Sequence, residues 1–267
     1  MTQFASLRAT RTAYVLRGEG APILLIHGAE ATRESFSALA LPLSQQQATP
    51  MCVVSYDQRG CGESTGAGSA HGIPDLADDA DELMASLGFR RYAVLGTSLG
   101  GRIAQALAMA HPDRVETLVL VNTWPLDATL AELNPQGVAQ LRRLRAGLPA
   151  TAAELAAMFY TRSHVASHPA LAQRFARPPA SPGREALAFE THALAEGRIK
   201  ARTLCISGSE DPVVPPAVMR DLAARIPRAV FESIPHAGHS IAVQAPEVLA
   251  SILLKFASRQ CAGNPPV

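Results

Sequence analysis

Short, largely apolar runs alternate with longer helix-like segments along most of this 267-residue chain. Pro22–Ile26, Met51–Tyr56, Tyr92–Leu95, Thr117–Val121, Thr203–Ser207 and Ala229–Ile234 read as strands. Their apolar continuity fits central strands of a parallel sheet, buried on both faces. Thr12–Arg17 reads as a further strand, closed by the turn Gly18-Glu19-Gly20. Ser35–Gln45, Pro74–Leu87, Gly100–Ala110 and Pro216–Ile226 have helical patterning. Strand alternating with helix implies right-handed crossovers and a doubly wound, mostly parallel α/β sheet.

One stretch breaks the alternation. Between Pro125 and Lys200 no strand is evident, and helical patterns at Gln136–Ala146, Thr151–Thr161, Pro169–Phe175 and Arg184–Glu196 are punctuated by Pro149, Pro169 and Pro178-Pro179. The expected organisation is one α/β domain, residues 1–124 and 201–267, interrupted by a helical cap, residues 125–200. The tail Cys261–Val267, with Gly263 and Pro265-Pro266, reads as frayed.

Composition excludes several classes. Lys+Arg 24 against Asp+Glu 23, with no basic run, excludes a general nucleic-acid binder. A hydrophobic fraction of 48% at net charge +1 excludes a disordered chain. The longest apolar runs are strand-sized, so no membrane-spanning helix is expected, and Met1–Arg11 lacks the apolar core of a signal peptide. Cys52, Cys61, Cys205 and Cys261 have no zinc-like spacing, so no metal is expected. Cys52 and Cys205 lie in apolar strands as small buried hydrophobes, and a reducing, cytoplasmic setting fits. The expected partner is a small molecule, with neither nucleic acid nor membrane involved.

The strongest chemical motif is Gly96-Thr97-Ser98-Leu99-Gly100, directly after one strand and directly before a helix. That context puts the serine on a strained turn, with Oγ raised over the C-terminal edge of the sheet and the helix N-terminus beside it. A serine hydroxyl needs a base to become a nucleophile. His239, in Pro235-His236-Ala237-Gly238-His239-Ser240 after the last strand, is the best candidate, with His236 its competitor. Asp211, in Gly208-Ser209-Glu210-Asp211-Pro212, follows a strand and is the expected orienting acid; Glu210 and Asp127 are rivals. The chain order Ser98, Asp211, His239 and their roles follow serine-triad logic. An oxyanion needs two donors. They are expected from the backbone N–H groups of Leu99 and of Ala29, the latter in the loop His27-Gly28-Ala29-Glu30, where His27 reads as a buried hydrogen-bonding residue shaping the loop.

His27-Gly28, Tyr56-Asp57-Gln58-Arg59-Gly60-Cys61-Gly62-Glu63-Ser64, Gly96–Gly101, Gly208–Asp211 and Gly238-His239 together resemble the α/β-hydrolase fold superfamily over almost the whole chain. The resemblance implies that Asp57–Ser64 is a structural turn beside the site, fixed by Asp57 and Arg59, and that no cofactor is needed. Serine at the elbow, where dehalogenases and epoxide hydrolases of this fold place aspartate, argues against both. The Asp57–Gly62 loop resembles that of proline iminopeptidases, but those usually carry Trp where this chain has Leu99. Ser-Leu-Gly-Gly-Arg-Ile and Leu120-Val121-Asn122-Thr123 are closer to small-molecule esterases and enol-lactonases.

In the cap, eight Arg and one Lys face six acidic residues. Most of these arginines read as a solvated face, while the excess also leaves room for a carboxylate-bearing substrate, because Arg pairs with carboxylates bidentately. Trp124, Met158 and Phe159 are the pocket candidates, with Tyr160, Phe175 and Phe189 as further apolar wall. The expected activity is hydrolysis of a small carboxylic ester or lactone. The same His-Asp pair serves C–C bond hydrolysis or cofactor-independent oxygenation in other members, and some members only sense ligands.

Overall fold

The computed structural model describes residues 1–46, 50–66, 71–176, 184–187, 190–192 and 198–261. Among them, eight strands form one sheet: β1 (Gln3–Ser6), β2 (Arg11–Arg17), β3 (Ala21–Ile26), β4 (Met51–Tyr56), β5 (Tyr92–Thr97), β6 (Val115–Val121), β7 (Arg202–Gly208) and β8 (Val230–Ile234). Their spatial order is β1-β2-β4-β3-β5-β6-β7-β8. From β4 to β8 all neighbours are parallel, whereas β1–β2 and β2–β4 are antiparallel. The α/β expectation therefore holds, with an antiparallel hairpin at one edge.

The helices are α1 (Ser37–Ser44), α2 (Ile73–Ser86), α3 (Leu99–Ala110), α4 (Leu130–Leu133), α5 (Pro135–Ala146), α6 (Ala152–Phe159), α7 (Arg162–Ser167), α8 (Ala170–Phe175), α9 (Arg184–Leu187), α10 (Pro216–Arg225), α11 (Ile241–Gln244) and α12 (Pro246–Cys261). Between β6 and β7 only helices, α4–α9, occur among the described residues. None of the described helices is long and apolar enough to cross a membrane.

Strand pleating sorts the core into two layers. On β3, Leu24 and Ile26 join the cluster with α2, α3 and α10, while Ile23 and Leu25 join the one with α1, α11 and α12. Both sheet faces are thus covered, which is why the strands are apolar throughout. Each buried Leu or Ile contributes about 1.5–3 kcal/mol. Cys52, Cys61 and Cys205 are free and buried, and burial pushes the Cys205 thiol up to about 12.

Several boundaries differ from expectation. The first helical segment opens as a 3-10 turn at Arg33–Phe36 before α1. After β8 the chain forms two helices, because Pro246 cannot continue α11 and instead opens α12. α12 runs to Cys261, one residue into the tail expected to fray; the rest of that tail lies outside the described residues. So do Arg177, Pro178-Pro179, Phe189 and Glu196, and much of the helix expected at Arg184–Glu196.

The topology sets the site. β3 leads to β4 on one side, and β5 then pairs with β3 on the other. The connections after β3 and β5 therefore part at their C-terminal ends, where a parallel sheet opens a crevice. Gly28 and Ser98 sit at that switch point.

Candidate active site

β5 ends at Thr97 and α3 begins at Leu99, so Ser98 alone makes the turn. Its φ of 53° and ψ of −123° lie in a region that side chains with a Cβ seldom adopt. The surroundings hold it there. Ser98 N–H donates to the Val121 carbonyl (3.0 Å), and its own carbonyl accepts from Gly101 N–H (2.9 Å) and Thr123 Oγ1 (2.7 Å). A Cβ at Gly96 would collide with the Gly100 carbonyl oxygen, and one at Gly100 with that of Ile26, so the elbow closes only on glycine. The first-turn N–H groups of α3, beginning at Leu99, point their dipole toward Ser98.

The loop after β3 lies against the same serine. An ideal Cβ on Gly28 would sit 3.2 Å from Ser98 Cβ and 3.7 Å from Oγ. His27 is fully buried, and its Nε2 accepts from Gln58 N–H (3.2 Å). The ring proton therefore resides on Nδ1, which donates to the Gly28 carbonyl at 2.7 Å. Pinning that carbonyl fixes the plane of the Gly28–Ala29 peptide and with it the direction of Ala29 N–H. His27 is thus a loop-shaping residue, as expected. Asp57 does the same for the next loop: it binds the Arg33 guanidinium and accepts from Glu63 N–H (2.9 Å), while Arg59 forks onto Asp79 at 2.9 and 2.7 Å.

Asp211 and His239 come together from the ends of β7 and β8. His239 Nδ1 lies 2.8 Å from Asp211 Oδ2, with Asp211 fully buried in its side chain and His239 nearly so. Asp211 Oδ1 accepts from the N–H groups of Val213 (2.8 Å) and Val214 (3.0 Å). The carboxylate therefore cannot rotate without losing those bonds, and Oδ2 faces the ring. The rivals are elsewhere. His236 is exposed and pairs with Glu210 (3.0 Å), and Asp127 pairs with Arg225.

The helical segment between β6 and β7 reaches the base. Phe159 stacks edge-on to the His239 ring, centroids 5.7 Å apart, and its carbonyl accepts from Ser240 N–H (2.8 Å). Phe175 stacks on Phe159 at 5.2 Å. Trp124 and Met158 are buried in the apolar cluster that joins α3 to this segment. Gln244 ties the two sides, accepting from Gly238 N–H (3.1 Å) and donating to Thr161 Oγ1 (2.9 Å). Of the segment's arginines, Arg145 pairs with Glu30, one residue beyond Ala29. Among the described residues no group of three or more metal-ligating side chains comes together.

Two residues of consequence had no assigned part in the sequence reading. Arg102, one turn into α3, is fully buried and donates to the carbonyls of Leu126 (2.8 Å), Leu187 (3.0 Å) and Glu190 (2.6 Å). Burial pulls its guanidinium down to about 10, against the opposing pull of Glu190 and Asp127, so it stays charged at neutral pH. A lone Arg beside Leu99 and Ile103 on an apolar helix face is the signal that marks it. Asn122, at the end of β6, is fully buried with φ of 46°. Asparagine is among the few residues that accept such a φ.

A model of the alpha/beta hydrolase fold family matches residues 21–246. A protein named "Putative carbamate hydrolase RutD" from Caulobacter segnis is 33% identical over 229 residues, 76% of this chain and 80% of that protein. Poly(3-hydroxyalkanoate) depolymerase from Ectopseudomonas oleovorans is 27% identical, over 90% of this chain and 85% of its own. Among solved structures, a thermophilic esterase from Thermogutta terrifontis superposes with a TM-score of 0.80 at 25% identity, covering 97% of this chain and 98% of that one. The enol-lactonase from Burkholderia xenovorans shares the fold, with a TM-score of 0.80 at 24% identity over 96% of this chain and 100% of its own. With its elbow, its strand order and the match across residues 21–246, this chain belongs to the α/β-hydrolase fold family.

Proposed function

We propose that this protein is a serine hydrolase that cleaves a small carboxylic ester, lactone or carbamate through an acyl-enzyme on Ser98. The observation that carries the reading is the buried Asp211–His239 pair, at the ends of the two strands next along the sheet from β6, which itself adjoins the elbow strand. The names of the relatives and structural neighbours, a carbamate hydrolase and an esterase, support the same carbonyl chemistry.

His239 receives the Ser98 hydroxyl proton on Nε2 while Oγ attacks the carbonyl carbon. Nδ1–H on Asp211 Oδ2 keeps Nε2 free to accept it. Negative charge then develops on the former carbonyl oxygen, where the N–H groups of Leu99 and Ala29 receive it. The tetrahedral adduct collapses, His239 returns the proton to the leaving group, and a water activated by the same ring releases the acid. Residues 125–200 act as a cap that sets the size of the acyl and leaving groups, with Phe159 as the wall nearest the base and Trp124 and Met158 backing it.

A fluorophosphonate probe tests the reading. It should label wild-type protein on Ser98, and Ser98→Ala should lower p-nitrophenyl ester turnover by at least about 10⁴-fold. An unlabelled serine, or turnover that survives the substitution, would reject it.

A further inference from the structure

Three separate segments must meet for the proposed chemistry: the elbow after β5, the Asp211 loop after β7 and the His239 loop after β8. No peptide bond joins them, and hydrophobic packing alone does not set a loop to within half an ångström. One side chain bridges the second and third, and its two chain neighbours bind the first.

Asn122 follows β6, the strand that lies between β5 and β7. Its Nδ2 donates to the carbonyls of Gly238 (3.0 Å) and His239 (2.7 Å), and its Oδ1 accepts from Gly208 N–H (2.9 Å). Its own N–H donates to the Ile206 carbonyl at 3.0 Å. Both of its chain neighbours hold the nucleophile: the Val121 carbonyl takes Ser98 N–H, and Thr123 Oγ1 gives to the Ser98 carbonyl. Gly208 precedes Asp211 by three residues, and a Cβ there would collide with the carbonyl of Gly238, so the acid and base loops touch at the point Asn122 grips. Both polar ends of this fully buried amide are thereby satisfied by backbone from two other segments, an arrangement in which exchanging the amide's oxygen and nitrogen would break all three bonds.

We infer that Asn122 is a positioning residue, which sets the His239 backbone against Ser98 and Asp211 and thereby places Nε2 for proton transfer. The inference rests on the reading of Ser98, His239 and Asp211 as the catalytic groups. Asn122 touches no substrate. Its contribution enters kcat and not KM, because misplacing a catalytic group by about 1 Å costs about 100-fold in rate.

Two variants separate this from general support of the fold. Asn122→Gly removes the side chain while accepting the positive φ. Asn122→Asp keeps the shape and the acceptor for Gly208 but turns a carboxylate oxygen toward two carbonyls. The expected result in both is a kcat about 100-fold lower with KM changed less than about threefold, slower fluorophosphonate labelling, and loss or broadening of the downfield proton resonance of His239 Nδ1. Wild-type kcat, labelling rate and downfield proton in a folded variant would overturn the inference, whatever the fall in Tm. Failure of both variants to fold would overturn it too, making Asn122 a requirement of the fold and not of the site. If wild-type protein itself goes unlabelled at Ser98, the underlying reading fails; if wild type labels and the variants label equally fast, only the role of Asn122 fails.

Discussion

Replacing Asp211 by asparagine exchanges one carboxylate oxygen for an amide nitrogen, and the hydrogen bonds around it dictate which one. Oδ1 accepts from the N–H groups of Val213 and Val214. An NH2 placed there would face two buried donors, at about 1–3 kcal/mol for each donor left unsatisfied. The asparagine therefore keeps its oxygen on Val213 and Val214 and turns its NH2 to His239 Nδ1, where Oδ2 had been. Nδ1 must then accept, the ring proton moves to Nε2, and the nitrogen meant to take the Ser98 proton is already occupied. The expected loss is about 10⁴-fold in kcat, close to 5.4 kcal/mol of transition-state stabilisation, with KM nearly unchanged. Burst and steady-state turnover of a p-nitrophenyl ester measure it, with a thermal melt to show that Asp211→Asn is folded. A folded variant that loses less than tenfold would refute the tautomer argument and, with it, the assignment of Asp211 as the orienting acid.

Two further outcomes follow from groups outside the site. Arg102→Met removes three charge-assisted donors but leaves the carbonyls of Leu126, Leu187 and Glu190 buried, so it should destabilise by about 3 kcal/mol in urea unfolding; an unchanged midpoint would show that the guanidinium's burial cost cancels its bonds. His164 stacks between Tyr160 and His168, and burial together with His168 lowers its pKa from the usual 6.5. The unfolded chain then binds the proton more readily, so stability should fall as pH drops below about 6.5, and His164→Phe should flatten that part of the Tm profile. An identical slope in the variant would refute this.

What could be read from the chain divides along physical lines. β3 to β7 are apolar because both sheet faces are covered, and a continuous apolar run needs no partner to be recognised. β1 is the opposite case. Gln3–Ser6 is largely exposed and owes its strand conformation to the ladder with β2, so nothing in its own residues announces it. The elbow at Ser98 and the Asp211–His239 pair could be anticipated because each of these residues stands in a recognisable local frame at a strand end. Asn122 could not, because its role is defined by carbonyls and an N–H some 80 to 120 residues away in sequence, and as a strand-end Asn it resembles any turn residue. Its positive φ has a weak local signature at most.

The helical segment between β6 and β7 meets the site at three points, and each contact falls on a different catalytic element of the proposed mechanism. Phe159 packs on His239 and accepts from Ser240, Arg145 holds Glu30 beside Ala29, and the Arg102 guanidinium of the elbow helix is bound by carbonyls at both ends of the segment. A cap that only lined a pocket could vary freely to change substrate size. The segment between β6 and β7 cannot, since a shift of α6 moves Phe159 against the His239 ring, and a shift of α5 pulls on Glu30, in the loop that the proposed mechanism uses to present Ala29 N–H. Under the proposed function, selectivity and rate are therefore coupled. Substitutions at Phe159 should change kcat as well as KM, whereas those on exposed arginines of α5 away from Glu30 should change neither. Arg145, one of the arginines behind the local excess of positive charge, is already committed to Glu30 and so adds nothing to any pull on substrate.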